Sequence, residues 1–456
     1  MKGGPLTSRH MDAALALPPQ FRNPALPHQA AMNDRIAAPA TPAEPTSSAG
    51  TSPAAAPREF LAARLHSLDA YRGLIMVSLA FSGFGLAATA SKHLAEAPDS
   101  SFWQQVHHQF EHVQWAGGGF WDMIQPSFMF MVGVSMAYSY SRRRERGQSY
   151  AGMLGHAAWR SVVLILLGVF LISNWSKTTN WSLVNVLTQI GLGYTFLFLL
   201  WDRPRWVQGT AAAAVLVGTW LLYVLWPGTG IPLETGNEAV GVSAAWAQEH
   251  LTGISPAWHK NANAGHAIDL WLLNLLPREE RFTFNSGGYQ TINFVPSLAT
   301  MIFGLMCGEL LRDRTTPRQK LAILTVAGVA GIVLALLLQA AGICPIVKRI
   351  WTPAWTLYST GICCLILASL YAVVDVLKFK AWTWPLMIVG VNSIAIYCMG
   401  QLLRPWTART LQTHLGPDVF NWAGPLWEPA VKACLVGLCF WLACWWMYRQ
   451  KIFIRI

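Results

Sequence analysis

The sequence predicts an all-α polytopic membrane protein of about ten transmembrane helices, with both termini in the cytoplasm. Three observations carry that prediction. Only 12% of the residues are charged, about half the share of a soluble domain, while 53% are hydrophobic. Apolar runs of about 20 residues recur near 68–90, 119–141, 157–175, 183–201, 207–226, 292–311, 320–341, 354–374, 384–403 and 429–448. The basic residues, finally, sort by side. Arg58 and Arg64 precede the first run, Arg142 to Arg146 follow the second, and Arg203 and Arg205 follow the fourth. Arg312, Arg314, Arg318 and Lys320 join the sixth and seventh, Lys378 and Lys380 follow the eighth, and Arg449, Lys451 and Arg455 close the chain. All of these share one face when the number of spans is even and both termini are cytoplasmic.

Taken in order, residues 1–58 are rich in Ala, Pro, Ser and Thr. Such a composition buries too little surface to fold and is expected to be a disordered cytoplasmic tail. It shows no basic stretch followed by an apolar core, so no cleavable signal peptide is expected. Residues 59–456 form the transmembrane domain, whose main partner is the lipid bilayer. The 23 tryptophans suit the two membrane interfaces. The net charge of +11 lies in short clusters between apolar runs, which reads as orientation signal and not as a nucleic-acid surface. The opposite face receives the segment 91–118, the large loop 227–291, the segment around Lys348 and the stretch 404–428. Within the large loop, Ile268 to Leu276 is apolar but too short to span, which predicts an interfacial or re-entrant helix. Of the eight cysteines, all but Cys344 fall within apolar runs and no Cys-x-x-Cys pair occurs, so neither a disulfide framework nor a metal site is expected.

The residues able to do chemistry cluster at the ends of the runs. His112 lies on the outer side, three residues before Trp115. Three glycines then lead to Asp122, where the second span begins. A lone histidine is most often a solvated loop residue, but an ionisable pair at the edge of the hydrocarbon is costly and becomes a site candidate. A histidine takes a proton near neutral pH, so His112 suits a general base. No second and third ligand follow at zinc spacing. Asp69 and Arg72, three apart at the cytoplasmic start of the first span, read as a helix-start ion pair or as a contact for a phosphorylated ligand. Asn392 and Ser393 sit mid-span, where an unsatisfied amide is expensive. Asn293, together with Lys348 and Trp351 at the outer start of the eighth span, completes the set. Each of these could equally be a helix–helix hydrogen bond or an interfacial anchor.

These residues fall into a recognisable pattern. SLDAYRGL at 67–74, HVQW at 112–115 with Asp122 and QPSFMFMVG at 125–133, and NFVPSLATMIFGLMCGELLR at 293–312 resemble the heparan-alpha-glucosaminide N-acetyltransferase family of transmembrane acyltransferases. WTPAWTLYS at 351–359, GVNSIAIY at 390–397 and KIFIRI at 451–456 extend the resemblance, which covers roughly residues 62–456 and is strongest to bacterial members carrying a domain of unknown function. It implies transfer of an acetyl group from cytoplasmic acetyl-CoA, without a metal, to an amino sugar across the membrane. His112 would then be the catalytic histidine and Asp122 its partner. Asp69, Arg72, Asn392 and Ser393 would hold the coenzyme, and Trp115 would face the acceptor; Asn293, Lys348 and Trp351 join it as candidate substrate contacts on the reading of the residues themselves. The chain departs from the eukaryotic lysosomal pattern at Gly83, where that pattern has Asn. It departs again at Tyr289 to Ile292, in place of Asp-Pro-Glu-Gly, and at Gly400-Gln401, in place of His-Glu. All three lie on the outer side, which points away from heparan and toward a glycan of the bacterial envelope at the inner membrane. Two other classes remain open: a small-molecule transporter or permease, and a catalytically silent relative. Homodimerisation is also left open.

Overall fold

The computed structural model describes residues 65–454; the tail 1–58 with Arg58, as well as Arg64 and Arg455, lies outside the described residues. The fold is almost wholly helical. The first strongly apolar run divides into α1 (His66–Ala80) and α2 (Leu86–Glu96), bent by 46° across Ser82–Gly85. The span expected near 68–90 is thus a bent pair of helices. Phe84 and Gly85 stand at φ +57° and +67°, a left-handed turn that glycine accepts readily and that ends α1. α3 (Ser101–Phe110) follows. The bundle continues with α4 (Ile124–Glu145), α5 (Tyr150–Ser173), α6 (Val186–Leu200) and α7 (Arg205–Leu225). The loop 227–291 carries a small hairpin, β1 (Gly236–Asn237) with β2 (Val242–Ser243), then α8 (Ala244–Leu251) and α9 (Ala264–Leu272). α10 (Phe294–Arg312), α11 (Pro317–Ala340) and α12 (Pro353–Leu370) return through the bundle. α13 (Trp384–Gly390), α14 (Ser393–Leu402), α15 (Arg404–Leu415) and α16 (Glu428–Arg449) complete it.

Six helices among the described residues are long and apolar enough to cross a membrane, or eight if each bent pair is one span. The second bent pair is α13 with α14, broken by 66° at Val391-Asn392, so the ninth expected span is also not continuous. Two further expected spans fall short of that test for different reasons. α6 has only 15 residues, about 22 Å of helix. α4 has 22 residues but is interrupted by serines and tyrosines and ends in Arg142–Arg144. Its polarity goes with its place, since Met129, Phe130, Val134 and Ala137 are all fully buried.

The packing sorts the helices into an inner and an outer set. Of the apolar windows, that of α10 is 67% buried and that of α11 only 17%, so α10 packs among helices while α11 presents most of its surface outward. α4 and α10 touch backbone to backbone through glycines. A Cβ on Gly133 would lie 2.0 Å from the Met301 carbonyl oxygen, and one on Gly304 2.1 Å from that of Phe130. Lipid tails are as apolar as leucine, so close van der Waals approach between small residues is what holds such helices together. Gly304→Val should therefore destabilise the fold by about 1–3 kcal/mol through overpacking, read as an earlier thermal unfolding transition in detergent. Gly218→Ala, which meets no atom within 4 Å, should leave that transition in place.

Candidate functional site

Three segments remote in sequence are knitted together at one end of α4. The first, 111–123, follows α3 and turns into α4 through a single 3₁₀ turn, Trp121–Met123. The second, 341–352, leads into α12. Its Thr352 hydroxyl accepts from the backbone N–H of Val347 at 3.1 Å and of Trp355 at 3.2 Å, closing a tight loop and capping α12 ahead of Pro353. The third, 285–293, leads into α10. Backbone contacts lock the first two, with Gly117 N–H donating to the Ile346 carbonyl at 2.8 Å. Arg349 then ties all three, donating to the carbonyls of Val113 at 3.2 Å and Gly287 at 2.8 Å.

This arrangement brings His112, Asp122 and Lys348 together. His112 Nδ1 lies 2.7 Å from Asp122 Oδ1. Lys348 Nζ lies 3.0 Å from His112 Nδ1 and 3.1 Å from Asp122 Oδ1. The other Asp122 oxygen accepts from the backbone N–H groups of Val113 and Gly119, each at 3.2 Å. Asp122 is 1% exposed and Lys348 6%, so the carboxylate is buried with four donors around it. Burial lowers the Lys348 ammonium from its usual range to about 8, against the attraction of Asp122, which raises it; the nearby Arg349 adds to the lowering. With Nδ1 facing Asp122 and Lys348, Nε2 is the ring nitrogen left for chemistry.

His112 and Lys348 both line a cavity of about 290 Å³. Its remaining polar wall is Gln125, Asn185, Tyr289, Tyr397 and Gln401, and its apolar wall includes Met76, Trp121 and Phe128. Sequence reading singled out none of Gln125, Asn185 or Tyr397. A signal existed for Asn185: a polar residue just before an apolar run is a helix cap, and its Oδ1 accepts from Leu187 N–H at 2.8 Å. Its Nδ2 donates to the Tyr397 hydroxyl at 3.3 Å, a pairing between distant helices that no local pattern encodes.

The other expected site residues lie elsewhere. Trp115 is buried behind the histidine and donates its Nε1–H to the Trp258 carbonyl at 3.1 Å, anchoring the loop 227–291. That loop is a fitted cap: Tyr223 donates to Gln290, Gln290 to Asn263, and Asp269 accepts from Thr291 N–H at 3.0 Å. Asn293 donates to the Arg349 carbonyl at 2.8 Å, and Trp351, fully buried at φ +47°, closes the turn that holds Lys348. These two support Lys348 from behind and do not line the cavity. Asp69 and Arg72 pair at 3.4 Å, and Arg72 also donates to Ser135 on α4. Ser135 stands 13 residues along the chain from Asp122, about 20 Å, so this pair is not part of the histidine cluster. Met76, one turn above Arg72 on α1, does line the cavity. Asn392 sits at the break between α13 and α14. Its amide is engaged by the carboxy-terminal segment, donating to the Ile452 carbonyl and accepting from Ile454 N–H, both at 3.1 Å. Ser393 donates back to the Gly390 carbonyl at 2.8 Å. Asp375, not singled out in the sequence, lies in a π-helical turn, Tyr371–Val376, and caps α1 by accepting from the N–H groups of His66 and Ser67.

No family model matches the chain. Among curated proteins it is similar to heparan-alpha-glucosaminide N-acetyltransferase of Homo sapiens, 24% identical over 446 residues, covering 86% of this chain and 60% of that protein. The enzyme of the same name from Mus musculus is 25% identical over 452 residues, covering 88% and 61%. Both matches run over most of this chain and support a distant likeness to these N-acetyltransferases. The chain spans about 60% of the length of the curated relatives it matches.

A buried cation left without its counter-ion is strongly destabilising. Asp122→Ala should lower stability by about 3–5 kcal/mol, seen as early thermal unfolding in detergent. Adding Lys348→Met to Asp122→Ala should recover a large part of that loss. An additive double variant would contradict the pairing.

Proposed function

We propose that this protein is a membrane acyltransferase that moves an acetyl group from cytoplasmic acetyl-CoA to an acceptor on the periplasmic side. The acceptor is a sugar of an envelope glycan. In this reading the chain crosses the inner membrane ten times with both termini cytoplasmic, α4 and α6 being the two spans that shelter inside the bundle. The observation that carries the proposal is His112, held by Asp122 at 2.7 Å, on the wall of a cavity among α1, α4, α6 and α14, in a chain similar to N-acetyltransferases.

The chemistry follows from the geometry. Asp122 orients the imidazole through Nδ1, and Nε2 takes the proton of the attacking acceptor as the thioester carbonyl is approached. Lys348 holds the Asp122 carboxylate in place and keeps the counter-charge balanced. Met76 and Phe128 offer an apolar wall for the acyl chain. The Asp69–Arg72 pair, one turn below Met76, would receive the coenzyme end, since a guanidinium suits phosphate oxygens. Asn392 and Ser393 stabilise the break between α13 and α14 on the same side of the cavity as Tyr397. The proximity of donor and acceptor in one enclosed space supplies much of the rate.

The two broken spans favour one alternative, a transporter, because interrupted helices are where substrate paths are built. Labelled acetyl-CoA separates the two. The purified full chain in detergent should release CoA, and His112→Ala should slow that release by about 10²-fold or more. Release unaffected by His112→Ala would remove His112 from the mechanism, and no binding of acetyl-CoA would move the assignment to transport. The pH profile gives an independent check. Lys348 loses its proton as pH rises through about 8, so activity should fall there. Lys348→Arg, whose side chain stays charged, should carry that fall above the measurable range.

A further inference from the structure

We propose that the junction of α4, α5 and α6, at the end of the bundle that carries Arg142–Arg146, holds the phosphate of an anionic phospholipid through Arg143 and Arg160. The site lies apart from the cavity beside His112, whose lining includes neither arginine. Arg143, in the last turn of α4, donates to the Gln148 side chain at 3.2 Å and to His156 Nε2 at 2.7 Å. Arg160, in α5, donates to the Tyr194 hydroxyl of α6 at 3.1 Å with its guanidinium 4.7 Å from that ring, and its Nε–H has no hydrogen-bond partner. A guanidinium has only donors, so His156 accepts on Nε2 and is neutral, turning its Nδ1–H to the Tyr140 hydroxyl of α4 at 3.2 Å. His156 and Arg160 are four apart and share one face of α5. The cluster thus carries two positive charges. Among the described residues, neither arginine forms an ion pair. Three arginines at the same end differ: Arg144 pairs with Asp202, Arg205 with Asp313 and Arg312 with Glu145.

The surroundings select a lipid. Only 33% of the apolar window of α5 is buried, so most of that helix faces outward. Trp159, Val162, Leu166 and Phe170 are exposed and recur every three or four residues. They form a stripe about 16 Å long, which suits an acyl chain lying along the helix. Arg160 stands ten residues beyond Tyr150, the first residue of α5, a rise of about 15 Å. Helical side chains tilt toward the amino terminus, so the long arginine stem carries its charge back toward the interface where headgroups sit. A guanidinium has five N–H donors in a fork that matches phosphate oxygens, and the contacts above leave donors to spare on both arginines. The lack of an acid partner chooses among headgroups. The ammonium of a zwitterionic lipid would stand beside two cations with nothing to hold it, whereas a net negative headgroup balances them. Basic pockets between spanning helices bind anionic lipids elsewhere by the same logic.

The test places the purified full chain in phosphatidylcholine nanodiscs with and without phosphatidylglycerol and reads retained lipid by native mass spectrometry. Phosphatidylglycerol should be retained in preference to phosphatidylcholine, and the double variant Arg143→Gln, Arg160→Gln should weaken that retention by about tenfold or more. Arg144→Gln, which removes an arginine already matched by Asp202, should weaken it far less. Equal retention of the two lipids, or retention that the double variant leaves unaltered, overturns the proposal. A measurement on the unaltered protein covers the case in which the double variant does not fold. Phosphatidylglycerol should raise the thermal unfolding transition above that in phosphatidylcholine alone, and equal transitions overturn the proposal. Inorganic phosphate and CoA separate the sources of the phosphate group. Displacement of the bound lipid by either at millimolar concentration would give the site to a soluble phosphate, which also overturns it.

Discussion

The burial of Asp122 is the constraint on which the rest of the site depends. A carboxylate with almost no exposure at the edge of an apolar bundle is tolerated only if its oxygens are fully engaged. Here two come from backbone N–H groups of its own approach segment, one from His112 and one from Lys348, 226 residues further along. Meeting that demand fixes the glycine-rich turn from Gly117 to Gly119, the loop that presents Lys348, and the strap that Arg349 makes between segments. The imidazole is thus held by a structure that had to form in order to shelter the charge. Function and stability share the same contacts.

The bundle around it is arranged to leave a space. α4 and α10 approach so closely at Gly133 and Gly304 that no cavity can exist between them. The opening falls instead among α1, α4, α6 and α14, lined by Met76, Phe128, Asn185 and Tyr397. Two of these elements belong to bent spans. A break in a span frees backbone groups that must be satisfied, and the protein does so locally: Asn392 binds the carboxy-terminal segment, and Arg404 donates to the carbonyls of Leu79 and Ala80 just before the first break.

Much of this was legible in the sequence where the signal was local. The His112, Trp115 and Asp122 spacing stood out because ionisable residues rarely begin an apolar run, and Lys348 stood out as a cation beside Trp351. What could not be read was that these two features meet, because nothing in the intervening chain encodes their contact. Hydropathy also misjudged the bundle in an instructive way. α4 looks weakly apolar because several of its polar side chains find partners on neighbouring helices, Ser127 accepting from Tyr71 on α1 at 3.2 Å and Tyr140 facing His156 on α5. The first break had its signal in Gly83 and Gly85. The ninth span held only Asn392, whose partners lie 60 residues away at Ile452 and Ile454. Trp115, expected to face the acceptor, donates its indole N–H to the Trp258 carbonyl of the loop 227–291, a partner 143 residues away that its neighbours in sequence do not announce.

The most direct measurement is photolabelling with an acyl-CoA whose acyl chain carries a diazirine, followed by peptide mapping of the full chain. Label on Trp121, Gln125 or Phe128, competed away by acetyl-CoA, is the expected result, since the thioester must reach the cavity beside His112. Label confined to the helix ends near Arg142–Arg146 and Arg312, with the cavity residues untouched, would contradict the placement of acyl transfer at this site.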